Sequence, residues 1–473
     1  MSANLILTVL VLVAGFYMAW NIGANDVSNA MGTSVGSGAL TLGKAVVIAG
    51  VLEFCGAFFL GGNVSNTMQQ GIINPQFFKH SPQTLLYGMV SALIATAIWL
   101  QIASYFGWPV STTHAIVGAL TGFGALVSGV HTVHWMEVGK IALSWLISPA
   151  LSALFAYSIF SVLQKRVLFV MNPIHATKQL IPVLFFIVLF VFTLTLLFNG
   201  VGSWHLKLSL LTIIGVGIGV GSVGGVISMV FLRKVRPVQR ETISSSISQQ
   251  LHYLDKATGH LRRLRLSSKK FQREEVDHIL QHVEEYKEEV KEHSTTVYAE
   301  KSNYQVVEKM FASLQILSAS YVAFAHGAND VANAIGPVAG AMSILREGAP
   351  SLSATIPIYL LAMGGVGIVV GLATWGWRVI ETIGKKITEL TPTRGFSAEF
   401  GAAVTILVAS KLGLPISTTH CIVGAVLGVG LARGISALNL RTLRDIVLSW
   451  IITLPASAIV CILIFYLVCA IFS

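Results

Sequence analysis

Twelve apolar stretches, each close to the length that spans a bilayer as a helix, decide most of what this chain can become. They fall at about 4–20, 43–62, 84–106, 111–128, 138–163, 180–198, 208–232, 308–325, 353–376, 396–412, 415–432 and 444–471. A hydrocarbon core about 30 Å thick takes roughly 20 apolar residues of helix, and inside it the backbone N–H and C=O groups must find partners within the chain. The sequence therefore predicts an all-α polytopic membrane protein with about twelve transmembrane segments. Composition agrees, since 54% of the 473 residues are hydrophobic and 11% charged, against about 25% charged in soluble proteins. The segments that open at Ser111 and Ile416 are short and glycine-rich, which predicts re-entrant or broken helices there. The first segment lacks a basic leader region and a small-residue cleavage site, so it reads as a membrane helix.

The charges are concentrated. Of 21 acids and 31 bases, 12 acids and 15 bases lie between Arg233 and Lys309. The net charge of +10 is the kind produced by basic cytoplasmic loops rather than by nucleic-acid binding. With twelve crossings and both termini outside, 26 bases fall on the cytoplasmic side and 5 outside, so this orientation in a plasma (inner) membrane is expected, with the central charged loop cytoplasmic. Cys55, Cys421, Cys461 and Cys469 sit in apolar runs without paired spacing and read as small hydrophobes.

Four regions follow: a first transmembrane repeat at 1–163, two connecting transmembrane helices at 164–232, a charged helical cytoplasmic segment at 233–303, and a second repeat at 304–473. In the charged segment, Val276, Ile279, Leu280, Val283, Tyr286 and Val290 recur at helical spacing, an amphipathic helix that fits either a solvated connector or a partner-binding coiled coil.

The halves repeat one another. NIGANDVSNAMG at 21–32 returns as AHGANDVANAIG at 325–336, GWPVSTTHAIVGALTGFG at 107–124 returns as GLPISTTHCIVGAVLGVG at 413–430, and LSWLI at 143 returns as LSWII at 448. All three blocks share an offset of 304 to 306. Seven segments separate the starts of the two units, and an odd number makes the second copy enter the membrane from the opposite side. Inverted-topology repeats are an architecture of secondary transporters, with the substrate site near the midplane where the repeats meet.

The repeated blocks hold the polar residues that a membrane interior makes costly. Each GAND block places a carboxylate (Asp26, Asp330) among amides (Asn25 and Asn29, Asn329 and Asn333) beside an apolar helix, and ionisable groups at membrane depth mark function. Asx residues also cap helices, but a cap does not require a carboxylate and two amides in both copies. Gly23 and Gly327 permit a helix break that would expose ion-coordinating backbone. After Pro109 and Pro415, the runs Ser111, Thr112, Thr113 and Ser417, Thr418, Thr419 open new helices whose free N–H groups and hydroxyls form an anion site. His114 and His420 follow directly, fitting a proton relay and a packing role equally well. Glu53 and Glu399 lie in apolar helices with no neighbouring Lys or Arg.

Those charges set the mechanism class. An anion pocket containing Asp26, Glu53, Asp330 and Glu399 and no matching cation repels its ligand unless a cation or protons enter with it. Cation-coupled anion symport follows, with Na+ suited to carboxylate, amide and carbonyl oxygens, or H+ if the carboxylates are protonated.

At GANDVSNA, GANDVANA and the paired STTH blocks the sequence resembles the inorganic phosphate transporter (PiT) family, over roughly residues 5–160 and 305–470. The resemblance implies inorganic phosphate as substrate, uptake coupled to sodium or protons, no covalent cofactor, no enzymatic step and a homodimer in the bilayer. It also implies that Asn25, Asp26, Asn329 and Asp330 are paired signature residues, that Ser111 to Thr113 and Ser417 to Thr419 bind phosphate, and that Glu53 and Glu399 act in transport. With Asn29 and Asn333, the carboxylates and amides form the expected sodium ligands. Ser28 departs from the pattern, which has Ala there as at Ala332. Proton-coupled or metal-phosphate symport and sulfate transport are alternatives of the same class, and a hydrolase using Ser111 or Ser417, or a phosphate-binding receptor, of a different one.

Overall fold

The computed structural model describes residues 3–70, 72–199, 208–235, 245–267, 270–349, 356–411 and 416–472; Lys207 and Pro415 lie outside them. Among the described residues the chain is helical: α1 (Ala3–Gly36), α2 (Leu42–Gln70), α3 (Pro82–Tyr105), α4 (Thr112–Val127), α5 (Trp135–Leu163), α6 (Pro173–Asn199), α7 (Leu210–Arg233), α8 (Ser245–Ser267), α9 (Lys270–Glu347), α10 (Ile358–Trp375), α11 (Trp377–Glu381), α12 (Pro392–Lys411), α13 (Thr418–Arg433) and α14 (Leu440–Phe472). The twelve apolar segments fall on helices, but only eight helices, α1 to α3, α5 to α7, α10 and α14, are individually long and apolar enough to cross a bilayer. α4 and α13 have 16 residues each, about 24 Å of rise, short of a full span. α9 and α12 dilute their apolar runs with polar residues of the buried site. The outer faces of α7 and α14 expose Leu211, Phe231, Leu463 and Tyr466, surface that only lipid or another apolar partner covers without cost. The protein is an integral membrane protein.

The expected breaks at Gly23 and Gly327 do not occur, because α1 and α9 run unbroken through both GAND blocks. These glycines serve contact between helices instead. A Cβ on Gly23 would overlap the Ile368 carbonyl in α10, and one on Gly327 would overlap the Glu53 carbonyl in α2. Gly56 of α2 meets Phe324 and Ala328 of α9 as Gly371 of α10 meets Trp20 and Ala24 of α1. The same exchange joins the short helices to the ends of the opposite halves: Gly118 of α4 abuts Leu454 of α14, and Gly424 of α13 abuts Pro149 of α5. Each half thus packs its glycine faces onto the other half, the close approach that small residues allow between membrane helices.

The charged segment forms a helical hairpin of α8 against the start of α9, bridged by Arg262–Glu284 at 2.8 Å, Arg265–Asp277 at 2.6 Å and Lys287–Asp255 at 2.5 Å. α9, 78 residues long, runs without interruption through 303/304 from the charged segment into the second GAND block.

Gly327→Ala and Gly371→Ala are expected to lower stability by about 1–3 kcal/mol or more through overpacking. Gly215→Ala and Gly219→Ala, where a Cβ meets nothing within 4 Å, should be neutral or gain up to about 1 kcal/mol. Thermal unfolding of the detergent-purified variants checks both.

Candidate functional site

α1 and α9 lie antiparallel. Ser37 donates to Gln315 Oε1 at 2.7 Å toward one end, Gly15 packs on Val338 toward the other, and Asp26 and Asp330 meet between. One oxygen of each aspartate and one ring nitrogen of His326 lie within 4.8 Å of one another, all buried. The hydroxyls of α13 face this pair: Thr418 Oγ1 donates to Asp330 Oδ2 at 3.0 Å and Thr419 Oγ1 to Asp26 Oδ1 at 3.3 Å. The amides complete a reciprocal pattern. Asn29 Nδ2 donates to Asp26 Oδ1 at 3.2 Å and to Thr419 Oγ1 at 2.9 Å, while Asn333 Nδ2 reaches Thr112 Oγ1 at 3.2 Å and Thr113 Oγ1 at 3.4 Å. Asn329 Nδ2 donates to Asp330 Oδ1 at 2.7 Å.

The starts of α4 and α13 lie against each other. Ser111 and Ser417 are their N-caps, accepting from the His114 and His420 amides at 3.2 Å, so those two hydroxyl oxygens already serve the helix ends. The leading N–H groups of Thr112, Thr113, Thr418 and Thr419 belong to the set that no α-helix satisfies internally, and they stand beside the aspartates. Thr113 Oγ1 donates to Ile416 O and Thr419 Oγ1 to Val110 O, each at 3.2 Å. Asn25 is not in this cluster. Its Nδ2 donates to Ser104 Oγ at 3.0 Å and Trp108 O at 3.1 Å, tying the end of α3 to the non-helical stretch that leads into α4.

Two features were not read from the sequence. His326 is fully buried, with Nε2 at 2.9 Å from Asp330 Oδ2 and 3.7 Å from Asp26 Oδ2, and Nδ1 at 3.3 Å from Glu53 Oε1. An ionisable residue in an apolar run, present in one copy of the block only, was the signal that marks it. Glu399 stands apart from the other three carboxylates. It sits about two turns along α1 from Asp26, where Thr33, Ser34 and Gln315 donate to Oε1 at 2.5, 2.7 and 3.2 Å and Ser318 to Oε2 at 2.5 Å. The single four-carboxylate pocket expected from sequence is two clusters. Among the described residues no Lys or Arg forms an ion pair with any of the four.

Comparison with known proteins decides the family, because the profile of the phosphate transporter family matches residues 22–461. The chain belongs to that family. A putative phosphate permease of Chlamydia trachomatis is 44% identical over 467 residues, covering 99% of both chains. An inorganic phosphate transporter of the Arabidopsis thaliana chloroplast is 44% identical over 94% of this chain and 70% of its own. A solved structure of a sodium-dependent phosphate transporter superposes with a TM-score of 0.78 at 35% identity, covering 98% of this chain and 99% of the other.

In this phosphate transporter the residues of the STTH blocks and the Asn and Asp residues of the GAND blocks are duplicated, and His326, Glu53 and Glu399 are not. The paired glycine contacts match Gly23 to Gly327 and Gly56 to Gly371, which sets His326 against Ile22 and Glu53 against Ile368. One of the two matching contacts, α2 against α9, therefore buries a His–Glu pair where the other, α1 against α10, buries two isoleucines. At the offset of the STTH blocks Glu399 corresponds to Leu93, and at the offset of the GAND blocks its donors Thr33, Ser34, Gln315 and Ser318 correspond to Pro337, Val338, Val11 and Ala14. Both added clusters are confined to one side of the pseudo-symmetry.

His326→Ile strands Glu53 in apolar surroundings, and removing one partner of a buried ionic pair costs about 3–5 kcal/mol. The double variant His326→Ile/Glu53→Ile, which copies the α1–α10 contact, should recover most of that stability while phosphate uptake stays lost. Unfolding midpoints and uptake measured on the same preparations separate these effects.

Proposed function

We propose that the transporter imports inorganic phosphate in symport with sodium by alternating access, using two inverted-topology repeats that meet at the Asp26/Asp330 cluster. The carrying observation is that two carboxylates and four threonines share one buried site without a Lys or Arg partner. Two ionised carboxylates within 4.8 Å repel by roughly 3 kcal/mol or more even at an effective dielectric near 20, and a phosphate beside them adds to the repulsion. Sodium ions held by Asp26, Asp330, Asn29, Asn329 and Asn333 offset both terms, so that phosphate binds well only with its cations. Thr112, Thr113, Thr418 and Thr419 supply hydroxyl and N–H donors to the phosphate oxygens, a set that releases its ligand more readily than an Arg fork. Glu399, in its cage of hydroxyls, offers a second group of hard oxygen donors. The sodium dependence carried in the name of the structural relative supports this ion. The antiparallel pairing of α1 with α9 supports the inverted relation of the halves.

Proton coupling is the second reading. It is favoured by His326, an imidazole in contact with three carboxylates. The excess of bases in the central segment supports a cytoplasmic hairpin with both termini outside, in a plasma membrane, and the exposed apolar face of α7 suits a homodimer.

Radiolabelled phosphate uptake into proteoliposomes, with sodium and proton gradients imposed separately and sulfate as competitor, tests the proposal. Accumulation is expected under the sodium gradient, with weak competition by sulfate, whose oxygens lack the proton that an aspartate accepts. Accumulation under the proton gradient alone establishes the second reading, and none under either ends symport. Asp26→Asn and Asp330→Asn should each abolish coupled uptake; full transport in either variant removes that aspartate from the coupling site.

A further inference from the structure

The third repeated block, LSWLI and LSWII, and the two histidines of the STTH blocks have no part in the site as described so far, yet they contact one another. His114 Nδ1 lies 3.5 Å from Trp450 O, and His420 Nδ1 lies 3.1 Å from Trp145 O. The His114 ring packs on Trp145 with centroids 3.8 Å apart, the His420 ring stacks on Trp450 at 3.6 Å, and the two imidazoles meet edge to face at 4.4 Å. Each histidine ring thus packs against the tryptophan whose carbonyl the other one uses. α4 and α5 belong to one half and α13 and α14 to the other, so the four residues close a ring across the boundary between halves. Trp450 Nε1 also donates to Pro109 O at 3.1 Å, fixing the chain just before α4. The histidines are the third residues from the caps Ser111 and Ser417, so any shift of these rings moves the threonine hydroxyls and N–H groups directly.

We propose that His114 and His420 are positioning residues for anion capture, each held as the Nδ1–H tautomer by the opposite half's tryptophan carbonyl, and together setting the separation of the two threonine-bearing helix starts. This rests on the reading of those starts as the phosphate site. A carbonyl only accepts, so a hydrogen bond to it requires the proton on Nδ1 and leaves Nε2 as the lone-pair nitrogen. Neither Nε2 has a hydrogen-bond partner among the described residues. A relay would instead need Nε2 to exchange protons during transport. The two roles therefore use different ring nitrogens, which amide side chains can imitate one at a time.

The test uses the full chain in proteoliposomes with His114→Asn, His114→Gln, His420→Asn and His420→Gln. Asparagine places an amide donor near the Nδ1 position and glutamine near the Nε2 position. Both Asn variants should keep KM for phosphate within about threefold. Both Gln variants should raise it on the order of tenfold with kcat less affected, because a misplaced pair of helix starts weakens capture first. The reverse order, Gln active and Asn inactive, overturns the proposal in favour of a function at Nε2. Nitrogen NMR of histidine-labelled wild-type protein gives a readout independent of variant folding. It should show two buried imidazoles as Nδ1–H tautomers, unchanged by saturating phosphate with sodium, whereas Nε2–H tautomers or a change on adding phosphate overturn it. If wild-type liposomes take up no phosphate, the functional reading fails, and the tautomer measurement still decides the state of the ring.

Discussion

Two carboxylates from antiparallel helices face each other in the middle of the protein, and much of the structure around them answers that arrangement. Asp26 and Asp330 are both buried, with one oxygen of each inside a 4.8 Å group that includes a nitrogen of His326. In a low-dielectric interior such a pair is tolerable only with donors or cations around it. Threonine hydroxyls from α13 and amides from α1 and α9 supply the donors. The glycines at helix crossings bring the backbones close enough for these short side chains to reach. Among the described residues no Lys or Arg, which would satisfy the carboxylates permanently, pairs with this cluster.

Duplication explains how such a site is assembled, and departures from duplication make its two sides unequal. The reciprocal contacts, Asn29 to the threonines of α13 and Asn333 to those of α4, make two matching sides of one polar cluster. His326 with Glu53, and Glu399 with its four donors, occupy one member of each symmetry-related pair of positions, while Ile22 with Ile368 and Leu93 with apolar neighbours occupy the other. The energetic inequality between the two faces of the site is therefore carried by about seven side chains, all buried.

Much of this was legible in the chain itself. The apolar segments each fall on a helix, and the GAND and STTH blocks converge on the aspartate and threonine cluster. What failed did so for identifiable reasons. Gly23 and Gly327 carry no local sign of whether they break a helix or admit a neighbour, because both uses need only the missing Cβ. Asn25 is adjacent to Asp26 in sequence but turns to Ser104 and Trp108, since successive residues on a helix point about 100° apart. Glu399 and Glu53 look alike in their apolar runs, and their separation into two clusters depends on which turn of α1 and α9 each one meets.

The sequence by itself determined the class of protein and the chemistry of its site: lipid leaves the backbone no alternative to helices in spans of this kind, and carboxylates, amides and hydroxyls duplicated at membrane depth have few other uses. The three-dimensional packing settled which of those groups touch. The meeting of Asp26 with His326, the cage around Glu399 and the exchange of carbonyls between His114, His420 and the two tryptophans all join residues from opposite halves of the chain. Their contacts follow from the antiparallel register of α1 against α9 and from glycine-sized gaps between helices, and neither quantity has a local signature in the residues that it brings together.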